Sequence, residues 1–168
     1  FIVVVIISVL MIRKYLPKLY QLMGFSYRAV QQLDEASEWL KKAVDASREQ
    51  HNPEILASAL NLLAYIYATI GSAEQAGAMI RQALEIRQRL LNREEQGTPA
   101  YRSRNIDLAW SYNTLAEINR YRGKLAAAQT FYRKAERIFY KEHDYEGQAT
   151  SLQALSDTRR RIALAADR

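Results

Sequence analysis

One stretch, residues 60–86, constrains the fold of this chain more than any other: LNLLAYIYATIGSAEQAGAMIRQALEI. Leu60, Leu63, Ala64 and Tyr67 recur at three- and four-residue steps, the apolar face of a helix. Gly71 supplies a left-handed residue that ends a helix at little steric cost. Ser72 then stands as an N-cap with Gln75 three residues on, the pattern of a capping box. A second apolar face follows in Ala76, Met79, Ile80, Ala83 and Leu84, and the small residues Ala64, Ala76 and Ala83 predict two antiparallel helices in close approach. The unit recurs. Leu115, Ala116, Gly123, Ala128, Tyr132, Ala135 and Ile138 lie 52 positions after Leu63, Ala64, Gly71, Ala76, Ile80, Ala83 and Ile86. Met23, Gly24, Tyr27, Ala36, Leu40 and Ala43 lie 40 positions before Leu63, Ala64, Tyr67, Ala76, Ile80 and Ala83. Leu152, Leu155 and Ser156 form a partial fourth copy, 40 after Tyr112, Leu115 and Ala116. A unit repeated in this way predicts a stack of hairpins rather than one closed core.

Tyr20-x-x-Met23-Gly24-x-x-Tyr27, Leu60-x-x-Leu63-Ala64-x-x-Tyr67 and Tyr112-x-x-Leu115-Ala116-x-x-Asn119 are each followed by an alanine pair: Ala36/Ala43, Ala76/Ala83 and Ala128/Ala135. In these residues the chain resembles the tetratricopeptide repeat family over residues 18–160. The spacing exceeds that family's usual period of about 34 residues, Asn119 departs from its aromatic, and Gln31 stands where the first copy lacks its glycine. Long spacing with Leu-Asn before Leu-Ala is similar to the kinesin-light-chain subtype. The resemblance implies an all-α, right-handed superhelical solenoid of about three hairpins, at residues 18–50, 53–94 and 105–142, closed by a capping helix at 145–166. These make a repeat domain at 15–168, preceded by a helix at 1–14.

Residues 1–12, FIVVVIISVLMI, carry no charge. Nothing else in the chain reads as a strand to pair with this run, so a helix in lipid is the expected reading, as a partial transmembrane anchor at 1–14. Twelve helical residues reach about 18 Å against a hydrocarbon core of about 30 Å, so part of the anchor is expected upstream of Phe1. Arg13, Lys14, Tyr15 and Lys18 then mark a membrane interface, and the positive-inside rule predicts a single-pass protein with its repeats on the cytoplasmic side. A signal-peptide remnant, or a helix packed inside an oligomer of an otherwise unanchored protein, are the alternatives. Met11-Ile12-Arg13-Lys14 lacks the small residues of a cleavage site. Pro17 either opens the next helix or kinks a continuous one.

Further breaks are expected at Gln50-His51-Asn52-Pro53, with Asn52 as cap, and at His143-Asp144. The second repeat's helices are expected at 53–70 and 73–93. A joint at 94–105 follows, holding Gly97-Thr98-Pro99, Arg102 and Arg104; it is either a surface loop or a contact element. The last helix carries Asp157, Arg159, Arg160 and Arg161, either a solvated cap or an anionic docking site.

No catalytic constellation is present. There is no Cys and no paired His, which excludes a disulfide framework and a cysteine-ligated metal. No glycine-rich phosphate loop occurs. Glu94-Glu95 reads as solvent-facing. The net charge of +6 fits a solvated helical surface or attraction to an acidic partner, but no nucleic-acid motif supports that class of ligand. No enzyme activity and no cofactor are expected. Recognition remains. The non-packing positions of the first helices predict a groove lined by Gln21, Phe25 and Arg28, then Asn61, Tyr65 and Thr69, then Trp110, Asn113, Glu117 and Arg120. Phe25, Tyr65, Trp110 and Tyr121 are candidate aromatic anchors. Asn61 and Asn113 share one register, and an amide there can donate to and accept from a peptide backbone. Such an asparagine ladder is what the kinesin-light-chain resemblance implies. Chaperone-binding members hold a terminal carboxylate with Lys, Asn and Arg; Gln21, Phe25, Leu62, Trp110 and Thr114 stand at those places here, so no such clamp is expected. The expected function is a membrane-anchored interaction scaffold for protein partners, membrane-complex subunits and the lipid bilayer among them. The alternative is an unanchored repeat adaptor.

Overall fold

The computed structural model describes residues 2–166, with side chains from residue 12 onward. Seven α-helices follow one another: α1 (Ile2–Ala29), α2 (Leu33–Glu49), α3 (Pro53–Thr69), α4 (Ala73–Leu91), α5 (Pro99–Tyr121), α6 (Leu125–Lys141) and α7 (Tyr145–Ala166). No strand occurs among the described residues. Each helix packs on the next, and α1, α3, α5 and α7 also approach one another in succession. No such approach joins α2 to α4 or α4 to α6 among the described residues. The odd-numbered helices therefore lie on the closed side of the stack and the even-numbered ones fan apart. That is a tetratricopeptide-like solenoid, with a groove along the odd helices.

Five of the six turns have one geometry. At Gln31, His51, Gly71, Gly123 and His143 the backbone turns left-handed, with φ of 63°, 52°, 87°, 72° and 55°. In each, the next amide donates five residues back and the left-handed residue's own amide donates three back; Ser72 N reaches the Tyr67 carbonyl at 2.7 Å and Gly71 N the Ala68 carbonyl at 3.3 Å. This closure satisfies carbonyls the helix leaves without partners. The turn recurs at Gln31 although no glycine stands there, and it accounts for both histidines as helix terminators. Caps are less regular. Asn52 accepts from Ile55 N at 3.1 Å ahead of Pro53. Thr98 does the same for Tyr101 N, also at 3.1 Å, ahead of Pro99. Ser72 makes no capping hydrogen bond, so the expected capping box does not form.

The core is a chain of clusters. Leu40, Leu60, Leu63, Ile66 and Ile80 join the first two hairpins to Ile118. Leu108, Tyr112 and Phe139 build the third, and Tyr132 with Leu155 seats α7. Ala36, Ala43, Ala64, Ala76, Ala83, Ala116, Ala128 and Ala135 are all fully buried, which is the close approach their small size permits. Gly24 holds the register of Ala64 and Ala116 under tighter conditions: a Cβ there would lie 2.5 Å from Leu40 Cγ. Repeats one and three also share a ring stack. Tyr20 meets Trp39 at 5.7 Å with Lys42 Nζ 4.3 Å from the indole; 92 positions on, Tyr112 meets Phe131 at 6.2 Å with Lys134 Nζ 4.1 Å from the Tyr112 ring.

Three expectations need correction. The single-pass membrane placement is overturned: among the described residues no helix is long and apolar enough to cross a bilayer. Continuing the apolar run helically brings in Arg13, Lys14 and Lys18, and the helix then becomes the first partner of α2. The anchor expected at 1–14 falls mostly on residues 1–11, whose side chains lie outside the described residues. Pro17 lies inside continuous α1, fully buried. Lastly, α5 begins at Pro99, capped by Thr98, rather than near residue 106, so Arg102 and Arg104 are helical and not part of a loop. Arg104 bridges Glu54 of α3 and reaches Glu94 at 3.7 Å, so Glu94 is half-buried in an ion pair instead of facing solvent.

Candidate functional site: the groove of the odd-numbered helices

Phe25 and Arg28 on α1, Asn61 and Tyr65 on α3, and Trp110, Asn113, Glu117 and Arg120 on α5 line one groove of about 610 Å³. They converge because the odd helices stack in register, so residues 40 or 52 apart in sequence become neighbours across the groove. Arg28 is held between two rings, its guanidinium carbon 5.1 Å from the Phe25 centroid and 5.4 Å from that of Tyr65, where the ring faces attract a cation. Trp110 is braced edge-on against Phe139 at 5.0 Å.

Glu117 is the hub of the opposite wall. Arg120 Nε donates to its Oε2 at 2.9 Å, and the Tyr132 hydroxyl donates to its Oε1. Burial pushes the Tyr132 hydroxyl up, and its bond to Glu117 and that carboxylate's charge push it further. Burial pulls the Arg120 guanidinium down, but the hydrogen bond and charge of Glu117 outweigh it and leave the group above its ordinary value. Arg120 is thus a neutralised cation. Arg28 has no ion-pair partner among the described residues.

Three buried side-chain polar atoms among the described residues lack a hydrogen-bond partner within the protein: Arg28 Nε, Asn61 Oδ1 and Asn113 Nδ2. All three belong to groove residues. Buried polar groups are nearly always paired, because an unmet one costs about 1–3 kcal/mol. The Asn113 amide is oriented by its other end, whose Oδ1 accepts from the buried Ser151 hydroxyl at 3.0 Å. These two donors and one acceptor thus sit, enclosed, on groove-lining side chains of three successive odd helices.

Two expected groove residues lie elsewhere. Gln21 is buried and turned aside, donating to Ser58 Oγ on α3 and accepting from Lys18 Nζ at 3.1 Å. Thr69 is exposed at the helix end, where its hydroxyl donates to the Tyr65 carbonyl at 2.9 Å. Tyr121 is also exposed, stacked under Arg120 at 4.8 Å and outside the groove lining. Arg13, Lys14, Tyr15 and Lys18 are exposed on α1. Leu62 and Thr114, at the places of the absent carboxylate clamp, also line the groove, and so do Tyr132, Glu146, Thr150 and Ala154, which were not expected. The partial fourth copy held the signal for α7: Thr150, Gln153, Asp157 and Arg160 each lie 40 positions after Trp110, Asn113, Glu117 and Arg120. A smaller cleft of about 310 Å³ continues the groove along Gln153, Asp157, Arg160 and Arg161. Gln21, Asn61, Asn113 and Gln153 thus place an amide at one register in all four odd helices. Among the described residues no three metal-ligating side chains come together.

Comparison with known proteins bears on the fold. The tetratricopeptide repeat family signature matches residues 15–89. No curated protein sequence matches the chain. The crystal structure of BtubC (BKLC) from P. vanneervenii superposes with a TM-score of 0.60 at 18% identity, covering 90% of this chain. The alignment takes in only 66% of that structure's length. Likeness at this identity is a likeness of fold, so the chain shares a helical-hairpin solenoid with that protein and carries tetratricopeptide repeat character in its first two hairpins.

Proposed function

We propose that this protein is an interaction adaptor that holds a short peptide segment of a partner protein along the groove of α1, α3, α5 and α7. The observation that carries this reading is the set of three unpaired buried polar atoms, Arg28 Nε, Asn61 Oδ1 and Asn113 Nδ2, all at the groove. A peptide backbone supplies carbonyls for Asn113 Nδ2 and Arg28, and an amide N–H for Asn61, at no cost in sequence specificity. Specificity comes from the aromatic wall of Phe25, Tyr65 and Trp110. It comes also from Arg28, which favours a ligand carboxylate near α1 because Arg120 is already spent on Glu117. Tetratricopeptide repeats are interaction modules, and the match over 15–89 supports that class over an enzyme.

Recovery of partners on the immobilised protein, compared with the Asn61→Ala/Asn113→Ala variant, tests the reading. Recovered proteins should be lost with the variant and displaced by peptides from their own sequences. Equal recovery of every partner by both would remove the groove from consideration.

A further inference from the structure

α6 turns a basic face to solvent. Ala128, Tyr132, Ala135 and Phe139 bury one side of the helix. On the opposite side, at about 100° per residue, Thr130, Arg133, Arg137, Tyr140 and Lys141 are exposed. Arg133, Arg137 and Lys141 stand about 6 Å apart along the helix by its rise. None of the three has an ion-pair partner among the described residues. Lys134, beside them, is held 4.1 Å from the centre of the Tyr112 ring. The neighbouring acids are engaged elsewhere: Glu136 accepts from Gln148 Nε2 at 3.0 Å and Glu142 from Asn105 Nδ2 at 2.7 Å.

Repeat register shows that this charge is particular to the third hairpin. On α2 and α4 the same face carries its own ion pairs: Asp45 meets Arg48 at 3.8 Å, and Glu85 meets Arg89 at 2.5 Å. Asp45 and Glu85 share one register, 40 positions apart, and 52 positions after Glu85 stands Arg137. With a cation in place of the acid, Lys141 lacks the partner that Arg89, at its own register, keeps. Asp45, Arg48, Glu85 and Arg89 are exposed although a further hairpin follows each. This face is therefore outer surface at every repeat, whatever follows in the chain.

The face runs into a cleft of about 550 Å³ at the end of α6, where Lys141 is joined by Tyr101, Pro99 and the exposed Arg102. Glu142, already bonded to Asn105, is the cleft's acid. Tyr140 is 68% exposed, and α6 exposes no large aliphatic side chain. Protein interfaces are built on an apolar centre, and exposed pairs of carboxylate and cation are individually weak. A membrane surface would need apolar side chains to bury. A phosphodiester strand needs neither. Neutralising it releases condensed counterions, and an aromatic ring stacks on any base.

We infer that the outer face of α6 and the adjoining cleft bind single-stranded nucleic acid, with Arg102, Arg133, Arg137 and Lys141 on phosphates and Tyr140 stacked on a base. No sequence motif is required, because neither contact reads base edges. The inference does not depend on the groove.

Fluorescence anisotropy of a labelled thymidine dodecanucleotide on the intact chain tests it. Binding should saturate, and raising salt from about 50 to 200 mM should weaken it about fiftyfold, the loss that four phosphate contacts on a single strand imply. Arg133→Glu/Arg137→Glu, at exposed positions, should weaken binding at least about tenfold at the lower salt and flatten the salt dependence; Arg133→Lys/Arg137→Lys should retain both. Tyr140→Ala should cost about fivefold or more on the dodecanucleotide and nothing on an abasic strand of the same length. Asn61→Ala/Asn113→Ala should leave binding unchanged. The salt dependence of the unaltered chain and its preference over the abasic strand need no variant to fold. Four results would overturn the proposal: no saturable binding, a salt dependence indifferent to the charge reversal, equal affinity for the abasic strand, or tighter binding of a polyglutamate peptide or of phosphatidylserine vesicles. The last would assign the face to an acidic protein or to a membrane.

Discussion

Replacing Asn61 by leucine should make the protein more stable and less able to bind. Asn61 sits half-buried on α3 with its Oδ1 enclosed and unpaired within the protein. An enclosed acceptor of this kind costs about 1–3 kcal/mol. Leucine keeps the same branched skeleton of four heavy atoms in a somewhat bulkier side chain, removes the polar atom and is the better helix former by roughly 0.4 kcal/mol. Taking the low end of the first term, since the residue is only half-buried, Asn61→Leu should stabilise the fold by about 1.5 kcal/mol. For a chain of this size that corresponds to a rise in Tm of about 3–6 °C. Differential scanning calorimetry of the free protein reads the shift, and titration with a partner-derived peptide reads the loss. The combination is diagnostic, because a polar group kept at a cost in stability is the signature of a site waiting for a ligand. A fall in Tm with Asn61→Leu would mean that the amide is structural, and the reasoning would fail even if binding were also lost.

Three further outcomes are expected. Gln31→Gly should stabilise the first hairpin by about 0.5–1 kcal/mol in urea unfolding, since Gln31 turns at φ 63° where a side chain is strained; no change would mean that the turn tolerates side chains freely. Gly24→Ala should destabilise by about 1 kcal/mol despite the better helix propensity of alanine, because the added methyl meets the fully buried Leu40; Leu40→Ala in the same chain should remove the penalty of the glycine change. Tyr132 titrates above its ordinary range, so its contribution to stability is complete below the unfolded tyrosine value of about 10 and is lost as pH rises beyond it. Urea unfolding at pH 8 and pH 10.5 should show that loss, and Tyr132→Phe should reduce the difference.

Much of this architecture is written in local chemistry. The alternation of leucine, alanine and aromatic at helical spacing, repeated at offsets of 40 and 52, requires paired helices, because each amphipathic face must find a small-residue partner. Asn52-Pro53 sets a helix start by the hydrogen bonding and φ of two residues. Gly71 and Gly123 set helix ends in the same way. Those signals act over a few residues, so no tertiary contact is needed to read them. The eight groove residues from Phe25 to Arg120 were legible for the same reason: register alone decides which face of a helix remains when packing has claimed the other.

Tertiary structure decided what depends on residues distant in sequence. Gln21 has the register of Asn61 and Asn113 but is diverted by Ser58, 37 residues away. Arg120 looks like a free cation until Glu117 and Tyr132 are seen around it. Thr98 with Pro99 capped a helix that residue spacing alone had placed later, and Glu94 gained Arg104 as a result. The apolar opening of the chain, read by itself, resembled a lipid-seeking segment. It is continuous with α1, whose basic residues interrupt the apolar run before it reaches a length that could cross a bilayer, and which the tertiary structure makes the first partner of α2.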